Sequence, residues 1–355
     1  MKINDRLGFL SLMKNQLCLD ELKLSDDNKI KYQEIKLEEF CKNNKIKLKY
    51  LNSGCNGHVF QGKNKNNQNI SLKVVPIFRD SKNKNTSPHI VEIIIIKLLS
   101  ELVKNKKLPH IILPIAVLKC DIYPFLGLDK KNIIDNIKYN EFMERYKNGE
   151  YKEYVNILVM EYANCGNFDN FIIREHKNLS IKSIKIFFFQ ILSTLALIYE
   201  TYPTFRHNNY KPSNILLEKL IISKHFFRYR LKKFIFIVPN NGYQIRICDF
   251  DYATIPNLIK NDKANDPDNI SVQETNKYYD LHFFFLNIIL LFNELNYEPN
   301  IEVSEFLDRI VPLGLRRKGK ITKFGKLKYN FEYLTPFKIL TNDKFFEEFR
   351  KIITD

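Results

Sequence analysis

Hydrophobic and polar positions change their period along the chain. Through the first forty-odd residues, Leu and Ile recur among charges at roughly helical spacing, which predicts one or two amphipathic helices. From Ile46 the period shortens. The runs IKLKYLNSG, HVFQGK and ISLKVVPIF, separated by Asn-rich turns such as residues 64–69, predict an antiparallel meander. Residues 91–103 are apolar enough and long enough for a helix, and strand-like runs follow at 111–118 and 155–162. Between those two runs, residues 119–154 are polar and charged, with a helix predicted at 139–147. That interval is long for a loop in a compact domain and reads as an insertion.

The second half is mostly helical in pattern. Residues 180–202 are strongly apolar at helical spacing and predict a central buried helix, followed by a loop at 208–212 and a short strand at 215–218. Residues 234–238, the turn at 239–242 and residues 244–248 read as a hairpin. An acidic-polar stretch at 261–275 predicts a mobile loop, and 278–295 a second buried helix. The tail carries helices near 303–310 and 344–352 with a basic loop, 316–328, between them. Strands first and helices later predict an α+β chain, with a small β-rich lobe, a larger α-rich lobe and a cleft between them.

Composition narrows the class. The chain has 355 residues, 45% of them hydrophobic, with 28 Phe, 19 Tyr and no Trp. That apolar mass excludes wholesale disorder, and 11 Gly with 13 Pro exclude collagen-like or low-complexity structure. The formal charge of +16 fits nucleic acid, an anionic surface, acidic substrates or a lysine-rich codon bias. Cys18, Cys41, Cys55, Cys120, Cys165 and Cys248 never fall at CxxC spacing, so a zinc or thioredoxin-type site is not indicated and reduced thiols are expected. No signal-peptide core opens the chain, and the apolar runs at 93–96 and 283–292 are too short to span a bilayer. The expectation is a soluble, cytoplasmic protein without a transmembrane segment.

Candidate chemistry sits at four places. Leu51-Asn-Ser-Gly54-Cys-Asn-Gly57-His58-Val59 ends one strand and opens the next; its glycines serve either the turn itself or the approach of backbone N–H groups to phosphate oxygens. Lys73, alternating with apolar residues, is either an exposed edge lysine or a cleft cation. Glu92, at the start of the next helix, is either its partner or a favourable first-turn acid. His207-Asn208-Asn209-Tyr210-Lys211-Pro212-Ser213-Asn214 is a polar loop between a buried helix and a strand. Lys211 there suits a transferring phosphoryl group and Asn214 a hard cation, unless the loop is simply a solvated turn. Asp249, ending the strand Ile245-Arg-Ile-Cys248, is a metal carboxylate or a turn cap.

In this order the four places resemble the eukaryotic-type protein kinase superfamily, over roughly residues 46–349. The resemblance implies a bilobal protein-kinase-like fold at 46–355, with a helical extension at 1–45. The N-lobe would occupy 46–160, with the insertion at 119–154, and the C-lobe 161–355. It implies ATP and Mg2+ as cofactors. Gly54, Gly57 and Val59 would belong to the phosphate-covering loop, with Asn52 in place of its first glycine. Lys73 would bind phosphate and pair with Glu92. Met160, as gatekeeper, Glu161 and Ala163 would meet adenine. Asn214 and Asp249 would hold metal, and Lys211 would steady the γ-phosphate. Asp280 in Tyr-Tyr-Asp-Leu-His resembles the buried Asp that opens the large C-lobe helix. The motifs Phe-Arg-His-Asn, Asp-Phe-Asp and Tyr-Tyr-Asp-Leu-His look like the serine/threonine kinases of large cytoplasmic DNA viruses, which would place the protein in host cytoplasm or virion.

One departure bears on activity. The family places an aspartate where this chain has Asn209, and an amide accepts a hydrogen bond but takes up no proton near neutral pH. Asp251, where relatives use Gly, is a nearby acid that could substitute in part. The residues therefore imply either a serine/threonine kinase acting on protein hydroxyls or a nucleotide-binding pseudokinase scaffold that regulates a protein partner. A third reading is a nucleic-acid-binding module using the basic segments 219–233 and 316–328, although no nucleic-acid motif accompanies them.

Overall fold

The computed structural model describes residues 3–25, 29–54, 57–81, 85–126, 137–220, 225–264, 276–317, 320–321, 325–328 and 333–351. The chain divides into two compact units, one of Lys2–Ser100 and Ile112–Tyr162, the other of Glu101–Ile111 and Ala163–Asp355.

The smaller unit is built on one six-stranded sheet. Its elements are α1 (Ile3–Gln16), β1 (Gln33–Glu34), α2 (Leu37–Asn43), β2 (Lys47–Ser53), β3 (His58–Lys63), β4 (Asn69–Phe78), α3 (Pro88–Lys104), β5 (Pro114–Asp121), α4 (Ile137–Lys147) and β6 (Tyr151–Glu161). The strand order is β1-β5-β6-β4-β3-β2, antiparallel throughout except for the parallel β1–β5 pair. The β2–β3–β4 meander follows the alternation seen in the sequence. Pro76 lies inside the central strand β4, and the β4–β6 register shifts between Pro76 and Phe78, where the ladder adjusts to the missing N–H. Helix α4 falls inside the segment read as an insertion. It brings Tyr139 and Phe142 against Tyr50 and His58, with ring centroids 6.2 Å (Tyr50–Tyr139) and 4.8 Å (His58–Phe142) apart.

The larger unit is mainly helical: α5 (Phe168–Glu175), α6 (Ile181–Thr201), β7 (Ile215–Lys219), β8 (Phe226–Leu231), β9 (Phe234–Pro239), β10 (Tyr243–Ile247), α7 (Tyr279–Glu294), α8 (Ile301–Ile310), α9 (Pro336–Asn342) and β11 (Arg350–Lys351). Ser180 caps α6 by accepting from the Ser183 N–H. Without tryptophan, phenylalanine fills this core. Phe187, Phe188 and Phe189 of α6 and Phe284 and Phe285 of α7 are buried, and Phe306 stacks on Phe345 at 4.2 Å. Helix α6 is also apolar and long enough to cross a membrane, which the sequence reading overlooked, but most of it is buried inside this unit, as a core helix is.

Three expectations change. The hairpin read at 234–248 does not form. Instead β9 pairs with β8 across the two-residue turn Lys232–Lys233, and β10 pairs with β7. Lys232 carries the positive φ of that turn (52°), a conformation lysine gives no sequence signal for. Residues 344–349 form a 3-10 turn rather than an α-helix, then pass into β11; α9 before them was not foreseen. Of the stretch read as a mobile loop, residues 265–275 lie outside the described residues. Asn261 is buried and donates to the carbonyls of Asp251 and Ala253. The described cysteines are all free thiols.

Candidate active site

In the smaller unit, strand register decides which side chains share a face. Directly opposed residues point the same way, so Val59, Lys73 and Leu158 form one row and Ser71 and Met160 the next. Lys73 Nζ reaches both Glu92 carboxylate oxygens at 2.8 and 2.7 Å, with the two side chains 9% and 4% exposed. The sequence alternatives for these two residues thus resolve into a buried ion pair between β4 and α3. Val59 is half-buried, while His58 and Phe60 on the opposite face are buried.

The glycine turn is braced from inside. The Gly54 N–H donates to the Gly57 carbonyl at 2.8 Å. Ser53 Oγ meets both Tyr50 OH and His58 Nδ1 at 2.5 Å. Burial pushes the His58 imidazole down to about 4, with Lys138 adding to the effect, so the ring is neutral at pH 7. A Cβ on Gly57 would lie 2.5 Å from the Val74 carbonyl oxygen. Gly57→Ala should therefore push β3 off β4 and cost about 1–3 kcal/mol, read by denaturant unfolding. An unchanged midpoint would show that the turn yields freely.

Glu161 lies on the other face of the sheet from Met160. Its carboxylate takes a two-pronged ion pair from Arg6 of α1, with Nε–Oε2 at 3.0 Å and the second prong through Nη2 and Oε1. It also accepts from the Leu113 N–H at 2.9 Å. The Glu161 side chain is thus engaged in structure, and only its main chain remains on the side expected to meet a base. Arg6 was missed in the sequence. Its signal is the stripe Arg6, Leu10, Met13, which is one buried helical face with a cation at its head.

In the larger unit, one carboxylate holds the polar loop. Asp280, the second residue of α7, accepts from the His207 N–H (2.7 Å) and the Asn208 N–H (2.9 Å) and is fully buried. His207 Nε2 lies 3.1 Å from the Cys248 carbonyl, and its ring is 5.1 Å from Phe250. Burial pushes the His207 imidazole down, partly opposed by Asp280 and Asp249. Tyr210 is buried beneath the loop and donates to the Ile191 carbonyl. Asn209 is half-buried between these buried neighbours. Its carbonyl accepts from the Lys211 N–H (3.0 Å) and from Asn214 Nδ2 (2.8 Å).

Asn214 and Asp249 come to the same end of the β7–β10 ladder. Ile215 faces Ile247 there, and the Cys248 N–H donates to the Asn214 carbonyl at 3.1 Å. The Asn214 amide nitrogen is engaged with Asn209, leaving Oδ1 as its available donor. A carboxylate and an amide oxygen fit magnesium, a hard cation that takes its remaining ligands from water and phosphate. Among the described residues no group of three His, Cys, Asp or Glu side chains forms a metal cage. Asp251 is 3% exposed and accepts from Lys263 Nζ at 2.6 Å, so it is already committed and does not stand open as a base. Ala163, where the chain re-enters this unit after Tyr162, is buried.

The basic loop read at 316–328 is partly internal. Lys326 is 8% exposed, 4.9 Å from the Tyr252 ring, and burial and nearby cations push its ammonium down to about 8. Residues 318–319 and 322–324 lie outside the described residues.

This combination of a lysine–glutamate pair on a β-rich unit and an Asp-held polar loop on a helical one is the protein kinase arrangement. The protein kinase domain family matches residues 123–278. A protein of Acanthamoeba polyphaga mimivirus that bears a serine/threonine-protein kinase name is 37% identical over 328 residues, 86% of this chain and 70% of its own length. Serine/threonine-protein kinase 2 of fowlpox virus is 29% identical over 185 residues, 49% of this chain and 39% of its own. The vaccinia virus (strain Western Reserve) protein of the same name is 32% identical over 137 residues, 37% of this chain and 28% of its own. The chain spans less than half the length of these two poxvirus relatives. It belongs to the protein kinase superfamily, and its fold is the bilobal α+β fold of that family.

Proposed function

We propose that the chain binds ATP with magnesium and transfers the γ-phosphoryl group to protein serine or threonine hydroxyls, at a rate lowered by Asn209. The observation that carries this reading is the buried Lys73–Glu92 pair, already closed at 2.7–2.8 Å. In the transfer, the acceptor hydroxyl oxygen forms a bond to the γ-phosphorus as the bond from that phosphorus to the β-bridging oxygen breaks, and ADP leaves with that electron pair. Lys73 would bind the α/β phosphates, held in place by Glu92. Lys211 would offset charge on the transferring group, and Asn209 would orient the hydroxyl by accepting its hydrogen bond. The hydroxyl proton then passes to a phosphoryl oxygen or to water rather than to residue 209. Asp249 and Asn214 would hold magnesium, which would supply charge neutralisation when bound.

A second reading, a nucleotide-binding scaffold without transfer, is favoured by Asp251. That acid is buried and its Oδ2 is tied to Lys263, so it is not poised to stand in for the missing aspartate. Both readings predict nucleotide binding. Lys73→Ala should weaken ATP affinity by about tenfold or more, measured by calorimetry with thermal unfolding as a fold check. A folded Lys73→Ala protein that binds ATP as tightly as wild type would remove both.

A further inference from the structure

The basic segment at 219–233 plays no part in the proposed chemistry. Between Glu218 and Asp249 the chain has no acidic residue, while it carries Lys219, Lys224, Arg228, Arg230, Lys232, Lys233 and Arg246. Strand β8 runs through this segment and is the edge of a three-stranded sheet ordered β11-β9-β8. Its inward row is fixed. Tyr229 and Leu231 are buried against Phe236 and the core, and Tyr229 OH lies 3.0 Å from His110 Nε2. The register therefore cannot slip without exposing that row.

Its outward row is Phe226, Arg228 and Arg230, all exposed, opposite half-buried Pro239, Ile237 and Ile235. Lys351 of β11 faces Ile235 from the far side and is exposed as well. Among the described residues no carboxylate pairs with Arg228 or Arg230. Edge cations keep a strand from pairing with copies of itself, yet they also select an incoming strand of opposite charge.

We propose that the edge of β8 is a docking strand for an extended acidic segment of a partner protein, added beside β8 as a fourth strand. Backbone N–H and C=O groups of β8 supply the pairing. Acidic side chains at alternate positions of the incoming segment would stand directly opposite Arg228 and Arg230, at cross-strand distance, with an apolar residue beside Phe226. Charge complementarity favours this occupant. Single-stranded nucleic acid would need a series of stacking rings, and only Phe226 stands exposed in this row (56%), among aliphatic neighbours. The inference does not depend on whether Asn209 permits catalysis.

The test uses the full chain and a fluorescently labelled short peptide of alternating Glu and Val, titrated by anisotropy. The peptide should bind with an affinity that falls as salt rises. Arg228→Glu/Arg230→Glu should weaken it by about tenfold, with unchanged thermal unfolding and ATP affinity. A version N-methylated at alternate amides should lose binding, because strand addition needs those N–H groups. The proposal is overturned if the peptide does not bind, if the double variant or the N-methylated peptide binds equally well, or if single-stranded RNA or phosphatidylserine vesicles displace the peptide from this edge.

Discussion

Asn209→Asp should raise the rate of γ-phosphoryl transfer by about 10²–10⁴, the range that a general base contributes. The exchange replaces the amide NH2 with an oxygen and little else. The surroundings hold residue 209 through its main chain, with its carbonyl accepting from the Lys211 N–H and Asn214 Nδ2, so neither bond depends on the side chain. The side chain itself is half-buried rather than packed, and stability should change by less than about 0.5 kcal/mol. A carboxylate there both accepts the acceptor's hydrogen bond and takes its proton. Asn209→Ala is the control, because it removes orientation as well as basicity and should fall below wild type if wild type transfers at all. The measurement is transfer from labelled ATP to a generic protein acceptor at saturating ATP. Equal rates in wild type and Asn209→Asp, with ATP bound in both, would mean that residue 209 does not carry the chemistry. A silent wild type beside an active Asn209→Asp protein would select the scaffold reading for the natural chain.

Arg6→Ala should destabilise the smaller unit by about 3–5 kcal/mol, the usual cost of leaving a buried charge without its partner. Arg6 is fully buried and Glu161 is 6% exposed, so water cannot replace the lost ion pair. The Leu113 N–H still reaches Glu161 Oε1, but a neutral donor does not replace a guanidinium opposite a carboxylate. Glu161→Gln alone leaves the guanidinium buried and should cost a similar amount. Arg6→Met combined with Glu161→Gln removes both charges, keeps an acceptor for Leu113, and should recover most of the loss. Urea unfolding of wild type, Arg6→Met, Glu161→Gln and the double variant closes the cycle and gives the coupling energy directly. A loss under about 1 kcal/mol for Arg6→Ala would show that the pair is solvated and that α1 merely rests on the sheet.

Much of the smaller unit was legible because its signals are local. The meander alternates with period two, and its turns are marked by Asn and Gly. Lys73 and Glu92 could be read as a pair because strand alternation and position in a helix each aim one side chain. Arg6 and Glu161 were not readable as partners. They are 155 positions apart, and nothing local says that an arginine will be drawn under a strand. The β8–β9 hairpin was misread for a related reason. The visible turn residues of 239–242 make a real reversal, with Gly242 at φ 83°, but the chain there passes from one sheet to another. The Lys232–Lys233 turn that does join two paired strands has no turn chemistry in its sequence. Asp251 showed the limit of residue type as evidence. An acid beside the active loop suggested a replacement base, and only the three-dimensional contact with Lys263 shows it occupied.

The Asn208 side chain carries a consequence for regulation. Protein kinases of the family pattern have an arginine at this place in the catalytic loop. Here Asn208, at φ 58°, donates through Nδ2 to the Tyr252 carbonyl at 2.9 Å and to Thr254 Oγ1 at 3.2 Å, while the Arg206 and Thr254 main chains exchange hydrogen bonds. The segment after Phe250 is thus tied to the polar loop at its start by neutral, short-range bonds, beside the Asp251–Lys263 ion pair. These bonds to the loop require no phosphate group, unlike a mooring made between an arginine and a phosphorylated side chain.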